Sequence, residues 1–342
     1  MNFDTQLYGL RLRSNCRLPG LVEASDVGPV DVRIDFSDGP LSTVTAVDAV
    51  EWRSQPIIET TCGFHRVFAG TSGEGRFWRL WYGCETLCQS VEFVIHPNGR
   101  QVWAFRQSWG DQRATISIQD STSVFLGAVL GVVLRLRGMI CLHASVVAVG
   151  SRAVVILGNK GEGKSSMAAA LAERGHAVLS DDVAVVTKSS GNYVAHAGYP
   201  RLRLWPKTLR ALKVDLDLAP VLTTLDKRYL ELNDESGDER WRFQSEPLPL
   251  GTIYLLKRDD DVKRPAIEPI PAADRLATLI EQTSVRFMPL EDGQRRQEFT
   301  EFSRLAMAVP FFRIRCPEGL NHLPAQCEAI TDTALKFAVN AA

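Results

Sequence analysis

The sequence has almost no net charge. It contains 39 Lys and Arg against 40 Asp and Glu, which gives a formal net charge of −1 at pH 7. Proteins that bind nucleic acid or anionic membranes over a broad surface carry a clear basic excess. The composition therefore predicts no nucleic acid and no membrane as partner, although the stretch Arg201-Leu202-Arg203 is a local basic group.

Closely spaced cysteines and long apolar runs are also missing. Of the seven cysteines only Cys84 and Cys88 lie near each other, and there is no CxxC pair, so a zinc ribbon is not expected. Buried, reduced thiols are the simpler interpretation. The longest apolar run, 124–134, is too short to cross a bilayer, and the first residues contain no apolar signal core. We expect a cytoplasmic protein.

The residues that are present indicate two domains. With 342 residues and 45% hydrophobic side chains, the chain is long enough for two hydrophobic cores. Residues 1–118 alternate between apolar and polar side chains at 32–36 and 76–81, and 91–95 and 102–105 are further strand-like stretches, with turn residues between them. We predict a β-rich N-terminal domain here, with a structural or substrate-recruiting role.

Residues 119–342 are predicted to form an α/β catalytic domain. Ser121–Ser123 can cap a helix that runs to about Arg137, and residues 140–149 resemble a strand. Residues 153–157 are continuously apolar, which is typical of a strand buried on both faces. Further on, we predict strands at 252–256 and 311–315, helices at 272–282, 295–308 and from about 324, and a mobile loop at Leu232 to Gly237.

The sequence GNKGEGKSS at 158–166 has the spacing of a phosphate-binding loop, and it lies between an apolar strand and a helix-forming segment. Glycines let the backbone adopt positive φ, so that amide groups converge on an anion at the helix N-terminus. A lysine there reaches the β and γ phosphates, and the next hydroxyl ligates Mg²⁺. The predicted nucleotide-binding residues are Gly158, Asn159, Lys160, Gly161, Glu162, Gly163, Lys164, Ser165 and Ser166.

An acidic pair, Asp181-Asp182, follows the predicted helix and the next apolar stretch. This spacing returns the chain to the sheet edge where ligands bind in α/β proteins. A carboxylate at that edge can hold Mg²⁺ or accept a proton from an attacking hydroxyl, and adjacent acids can take different roles. His143 precedes the loop, but spacing alone does not separate a phosphate contact from a core histidine.

The stretch LHASVVAVGSRAVVILGNKGEGKSSMAAALAERGHAVLSDDVAVV, at 142–186, resembles the catalytic core of the HPr kinase/phosphorylase family. The resemblance is close over 138–190 and looser over 200–325. GYPRLRLW, DKRY, PLPLGTIYLL and AVPFFRIRCP resemble the shorter HPr-kinase-like relatives, some of which are lasso-peptide tailoring kinases. These relatives phosphorylate a serine hydroxyl of a precursor peptide. The resemblance implies a P-loop HPr-kinase-like α/β domain that uses ATP and Mg²⁺.

The resemblance also implies roles for individual residues. Asp182 accepts the proton of the substrate serine, Asp181 assists or touches the metal together with Ser165, and His143 orients the phosphoryl region. Arg228 is the candidate for the later catalytic arginine of the family, with Lys227 next, although a solvated basic turn explains both equally well. The family's metal-binding Glu has no counterpart in Tyr199–Arg203, which argues against HPr itself as the substrate.

The leading hypothesis is an ATP-dependent kinase that acts on a serine of a peptide or protein, such as a lasso-type precursor. The alternatives are an HPr-type protein kinase, a P-loop switch that hydrolyses nucleotide without an acceptor, and a non-catalytic peptide-binding scaffold. The intact Lys164, Ser165 and Asp182 argue against the scaffold. Acceptor identity, ATP against GTP preference and assembly into a homo-oligomer stay open.

Overall fold

The computed structural model describes residues 1–41, 50–54, 58–60, 63–84, 86–110, 115–232 and 238–339. It divides into two compact units, Met1–Arg137 with Pro220–Asp226 and Gly138–Ala219 with Lys227–Ala342. The first boundary between these units follows residue 137, whereas the sequence prediction placed it at residue 118. The difference arises because the helical segment after residue 117 groups with the first unit. Most of the predicted mobile loop, residues 233–237, lies outside the described residues.

The first unit is built on a nine-stranded sheet, in agreement with the alternating sequence patterns. Its strands are β1 (Phe3–Leu7), β2 (Leu10–Ser14), β3 (Val32–Asp38), β4 (Glu51–Ser54), β5 (Ile58–Thr60), β6 (Gly63–Ser72), β7 (Gly75–Cys84), β8 (Gln89–Ile95) and β9 (Gln101–Ser108). Their order is β1-β2-β3-β9-β8-β7-β6-β4, and β5 pairs with β6. Pairing is antiparallel except at β2–β3 and β3–β9.

A long apolar helical segment completes the main part of this unit. It consists of α1 (Ile118–Val124), a π-helical turn (Phe125–Val129) and α2 (Leu130–Leu136). The cap is Ser117, whose side chain accepts from the Asp120 amide, and not the predicted Ser121–Ser123. By length and composition this is the one described helix that could cross a membrane, but 78% of its apolar window is buried, as in the core helix of a soluble protein.

The second unit is a mixed α/β unit. The remaining strands in chain order are β10 (Ile140–Leu142), β11 (Ala144–Val149), β12 (Arg152–Leu157), β13 (Val178–Ser180), β14 (Ala184–Ser189), β15 (Asn192–His196), β16 (Arg201–Leu204), β17 (Pro220–Leu222, in the first unit), β18 (Leu225–Glu231), β19 (Leu248–Arg258), β20 (Ala266–Pro269) and β21 (Phe311–Cys316). The helices are α3 (Lys164–Glu173), α4 (Pro206–Ala211), α5 (Ala272–Glu281), α6 (Asp292–Ala308) and α7 (Leu323–Val339), with a 3₁₀ turn at Leu320–His322.

Strand direction brings several strand ends to one edge of the main sheet. The sheet order is β10-β14-β15-β19-β12-β11-β13, and β21 pairs with β19. Strand β12 runs parallel to β19, which runs parallel to β21. Strand β11 is antiparallel to both β12 and β13, so β13 points the same way as β12. The carboxyl ends of β13, β12, β19 and β21 therefore share one edge, where α/β proteins bind ligands.

The predicted strand at 153–157 is confirmed as buried on both faces. Val154 and Ile156 belong to the apolar cluster that includes α3 and α7, whereas Val155 and Leu157 belong to the cluster that includes α5 and α6. Alternate side chains of a strand point to opposite faces, so a strand with helices on both faces is apolar throughout. This double burial fixes the position of the loop that follows β12.

Candidate functional site

The loop after β12 has the backbone geometry of an anion cradle. Gly161 and Gly163 have φ of 91° and 102°, and Gly163 is the N-cap of α3. A Cβ at either position would meet no atom within 4 Å. Glycine is therefore required here by the left-handed backbone and not by lack of space. The loop ends at the N-terminus of a ten-residue helix, which favours an anion.

Lys164 is held at this loop by the loop's own carbonyl groups. Its ammonium donates to the carbonyl oxygens of Gly158 at 2.6 Å and Asn159 at 3.2 Å. Burial lowers the pKa of Lys164, while the charges of Asp182 and Asp181 oppose this shift. A buried cation that is positioned by neutral carbonyls is well placed to pair with a phosphate.

The two serines after Lys164 have different environments. Ser166 shares a hydrogen bond of 2.8 Å with the Thr208 hydroxyl and so connects α3 to α4. The Ser165 hydroxyl has no hydrogen-bond partner within the described part of the chain, and Ser165 lines the cavity beside the loop. Ser165 therefore retains an oxygen that a metal ion can use.

The donor set fits Mg²⁺ that is bound together with a nucleotide. Within the described residues there is no group of three or more His, Cys, Asp or Glu side chains that could hold a metal ion. Mg²⁺ in nucleotide enzymes needs only one or two protein oxygens, because phosphate oxygens and water complete its octahedron. Ser165, which lines the cavity, would supply such an oxygen.

Asp181 is placed differently from the sequence prediction. Its carboxylate accepts from the Ser145 hydroxyl at 2.7 Å and from the Arg203 backbone amide at 3.0 Å. The side chain is buried, with 1% of the residue exposed, and Asp181 is not among the residues that line the cavity. Both oxygens thus anchor neighbouring strands, and this geometry assigns Asp181 a structural position in place of the predicted metal contact.

Asp182 is the carboxylate that faces the cavity. It adopts φ of 72°, an uncommon left-handed conformation for a residue other than glycine. Its carboxylate accepts from a guanidinium nitrogen of Arg203 at 2.9 Å. Burial raises the pKa of Asp182, but Arg203 and then His143, Lys227 and Lys164 outweigh it, so the pKa falls to about 2. Asp182 is therefore ionised at neutral pH.

His143 interrupts the predicted strand at 140–149, because β10 ends before it and β11 begins after it. The His143 Nδ1 lies 3.0 Å from the Asp182 carbonyl oxygen and 3.5 Å from its carboxylate. The backbone amide of His143 donates to the Gln282 carbonyl at 2.7 Å. His143 also lines the cavity, so the structure brings it together with Asp182 and the loop.

Gln282 braces the loop, and no pattern in the sequence indicates this role. Its side-chain oxygen accepts from the Gly158 amide at 3.3 Å, and its side-chain nitrogen donates to the Asn159 side chain at 3.2 Å. The residue is buried at the end of α5. It therefore fixes the first half of the loop from a segment that lies more than a hundred residues away in sequence.

The second half of the loop is braced by Arg258, at the end of β19. Its backbone amide donates to the Glu162 carboxylate at 2.8 Å, and its guanidinium donates to the Gly161 carbonyl at 2.6 Å. Lys160 is exposed and lines the same cavity. The loop thus keeps its shape through bonds to Arg258 and Gln282, and Lys160 remains at the surface of the cavity.

The adjacent basic residues Lys227 and Arg228, near the start of β18, point to opposite sides of the strand. Lys227 lines the cavity, with its ammonium 5.5 Å from the centre of the Trp205 ring, whereas Arg228 does not line it. Arg228 lies opposite Leu204 in the β16–β18 pair. Adjacent strand residues face opposite sides, so only one of the two can reach the site. The geometry favours Lys227, the second candidate, over Arg228.

These side chains surround a cavity of about 300 Å³. Its charged lining has six cations and three anions, which makes it suited to a polyanionic ligand such as a triphosphate. The cations are Lys160, Lys164, Arg203, Lys207, Lys227 and Arg258, and the anions are Glu162, Asp182 and Glu318. Arg203, which pairs with Asp182, is recognisable in the sequence only as part of the basic group at 201–203.

The pKa of Asp182 provides a test of this electrostatic arrangement. Replacing Arg203 with Met removes the largest influence that lowers this pKa, so we expect it to rise from about 2 towards or above 3.8. Carboxyl ¹³C NMR during a pH titration measures it. The wild-type carboxylate stabilises the fold above about pH 4, and this contribution is lost as the pH falls towards 2. In Arg203→Met this contribution shrinks, and it disappears where the folded-state pKa no longer lies below 3.8.

Arg201→Met is the matched control for this titration. Arg201 lies on the same strand and pairs with Glu231 at 2.6 Å instead of with Asp182. We expect the Asp182 titration to stay unchanged in this variant. An unshifted Asp182 pKa in Arg203→Met, or an equal shift in both variants, would mean that the Arg203–Asp182 pair does not determine it.

Comparison with known proteins gives a distant structural likeness. The structure is similar to the Hpr(Ser) kinase/phosphatase from Coxiella burnetii, with a TM-score of 0.34 and 12% sequence identity, over 57% of this chain and 97% of that chain. No protein-family model matches the sequence, and a search of curated proteins found no match.

Proposed function

We propose that this chain is an ATP-dependent kinase that transfers the γ-phosphoryl group to a serine hydroxyl of a peptide or protein. The observation that carries the proposal is one cavity that contains both the glycine-rich loop with Lys164 and the ionised carboxylate of Asp182. A carboxylate beside the phosphates is what a kinase requires to orient an acceptor hydroxyl.

The reaction requires few covalent steps from the protein. The serine oxygen attacks the γ-phosphorus, the bond from that phosphorus to the β–γ bridging oxygen breaks, and ADP leaves. Asp182 accepts the hydrogen bond of the serine hydroxyl and takes its proton late, because the hydroxyl becomes acidic only as the new bond forms. Lys164, Lys227 and the loop amides compensate charge on the transferring oxygens. Mg²⁺ held by Ser165 and the phosphates would supply further compensation.

The acceptor is proposed to be a ribosomal peptide of the lasso-precursor type, on the basis of the sequence resemblance. In the position where the HPr kinases carry a metal-binding Glu, this chain has a strand with Arg203, which pairs with Asp182. This basic replacement supports a peptide acceptor over HPr. It also supports transfer in the kinase direction without the reverse phosphorylase reaction.

Label transfer tests the proposal. The purified chain is incubated with γ-³²P-ATP, Mg²⁺ and a serine-containing precursor peptide, with the Ser→Ala peptide as the control. We expect label on the serine peptide alone. Release of free phosphate without peptide labelling would support the nucleotide-hydrolysing switch, and the absence of any ATP turnover with every peptide offered would contradict the kinase assignment.

A further inference from the structure

The cavity continues beyond the phosphate loop towards an apolar wall. Leu256 on β19, Pro317 after β21, Leu320 in the 3₁₀ turn and Leu323 at the start of α7 all line it. These groups lie on the opposite side of β12 from Asp182, because the strand order is β13-β11-β12-β19-β21. The proton acceptor and the apolar wall therefore flank the loop from two sides.

The polar side chain of Gln326, on α7, lies beside this apolar wall. It is 6% exposed and lines the cavity. Across the described residues, no hydrogen-bond partner is found for its side chain. The amide atoms keep some accessible surface, and the residue borders the cavity. The cavity-facing amide is thus available to a ligand with both a donor and an acceptor.

We propose that Gln326 recognises the adenine base of the bound nucleotide. This inference rests on the proposed nucleotide-binding function of the loop. The apolar wall at the end of β21 is two strands from β12, about 10 Å at the usual strand spacing, so it lies far enough from the loop to leave room for a base beyond the phosphates. The apolar wall contacts the flat faces of the base. The amide oxygen accepts from the N6 amino group of adenine, and the amide nitrogen donates to a neighbouring ring nitrogen.

Comparison of ligands with and without a base tests this in the wild-type protein. ATP, GTP and inorganic tripolyphosphate are titrated with Mg²⁺ by calorimetry. We expect ATP to bind more tightly than tripolyphosphate, because only ATP reaches Gln326, and more tightly than GTP. Equal affinity for ATP and tripolyphosphate, or tighter binding of GTP, would overturn the adenine assignment while leaving the phosphate loop intact as a binding site.

Substitution then assigns the effect to Gln326. In Gln326→Met, which keeps the size and removes the amide, we expect ATP affinity to fall about 5- to 100-fold while tripolyphosphate affinity stays unchanged. In Gln326→Glu, whose carboxylate only accepts hydrogen bonds, we expect the preference to move from ATP towards GTP, because guanine offers neighbouring donors. A purely structural role would not reverse base preference. Unchanged ATP affinity in both variants would contradict the inference.

Glu328→Ala is the control on the same helix, since Glu328 is exposed and does not line the cavity. We expect all three ligands to bind it as they bind the wild type. If the wild type binds neither ATP nor tripolyphosphate, the proposed function fails. If it binds tripolyphosphate normally and the base adds nothing, only the inference about Gln326 fails.

Discussion

Replacing Lys164 with alanine is expected to weaken ATP binding by about 30-fold or more, corresponding to about 2 kcal/mol. The Lys164 ammonium is buried at the loop and fixed by the Gly158 and Asn159 carbonyls, so its orientation is established before phosphate arrives. Alanine removes the charge that compensates the β and γ phosphates. Calorimetric titration with Mg²⁺–ATP measures the loss.

The control for this experiment is Lys188→Ala, which removes an equal charge from an exposed position on β14 outside the cavity. We expect ATP binding to remain at the wild-type value in this variant. Thermal unfolding of both variants should stay close to that of the wild type, because α3 is held mainly by its buried apolar face, including Met167 and Leu171. Superimposable ATP titrations of Lys164→Ala and the wild type would rule out the phosphate cradle.

Replacing Asp182 with asparagine is expected to reduce kcat about 100- to 10,000-fold while ATP binding persists. The amide keeps the size of the side chain but cannot accept the serine proton. Asparagine also tolerates the left-handed backbone at φ 72°, so the turn is preserved. Loss of the negative charge leaves Arg203 able to attract phosphate, so ATP affinity should be retained or increased. Steady-state kinetics and calorimetry measure the two effects separately.

Asp181→Asn is the matched comparison, because it makes the same chemical change one residue earlier. Asp181 bonds to the Ser145 hydroxyl and the Arg203 amide in a buried position, so we expect a lower unfolding temperature in this variant. A large fall in kcat at unchanged stability in Asp181→Asn, together with normal kcat in Asp182→Asn, would reverse the roles assigned to the two carboxylates.

The parts of the site that are local in sequence could be predicted. The continuous apolar stretch 153–157, the glycine spacing and the helix-forming residues after it specify a strand, a turn and a helix without long-range information. The acidic pair Asp181-Asp182 can be predicted as well, since it directly follows the next apolar stretch. Which of its members faces the cavity depends on the positive φ of Asp182, and a sequence with two equal candidates does not reveal that.

The parts that depend on tertiary structure could not be predicted. Arg203, Gln282 and Gln326 reach the site from a strand and two helices that are distant in sequence. An isolated glutamine or arginine in an element has no distinguishing pattern. The choice between Lys227 and Arg228 depends on which face of β18 meets the cavity, and pairing register decides this. The break of the strand at His143 likewise follows from separate pairing of β10 and β11.

The most direct test of the central claim is a crystal structure with Mg²⁺ and a non-hydrolysable ATP analogue. We predict that the triphosphate lies in the loop at 158–165, with the γ-phosphorus within about 6 Å of the Asp182 carboxylate, so that one hydroxyl can contact both. A triphosphate bound elsewhere, or an Asp182 carboxylate turned away with no space for a hydroxyl between it and the γ-phosphorus, would contradict a kinase built on this site.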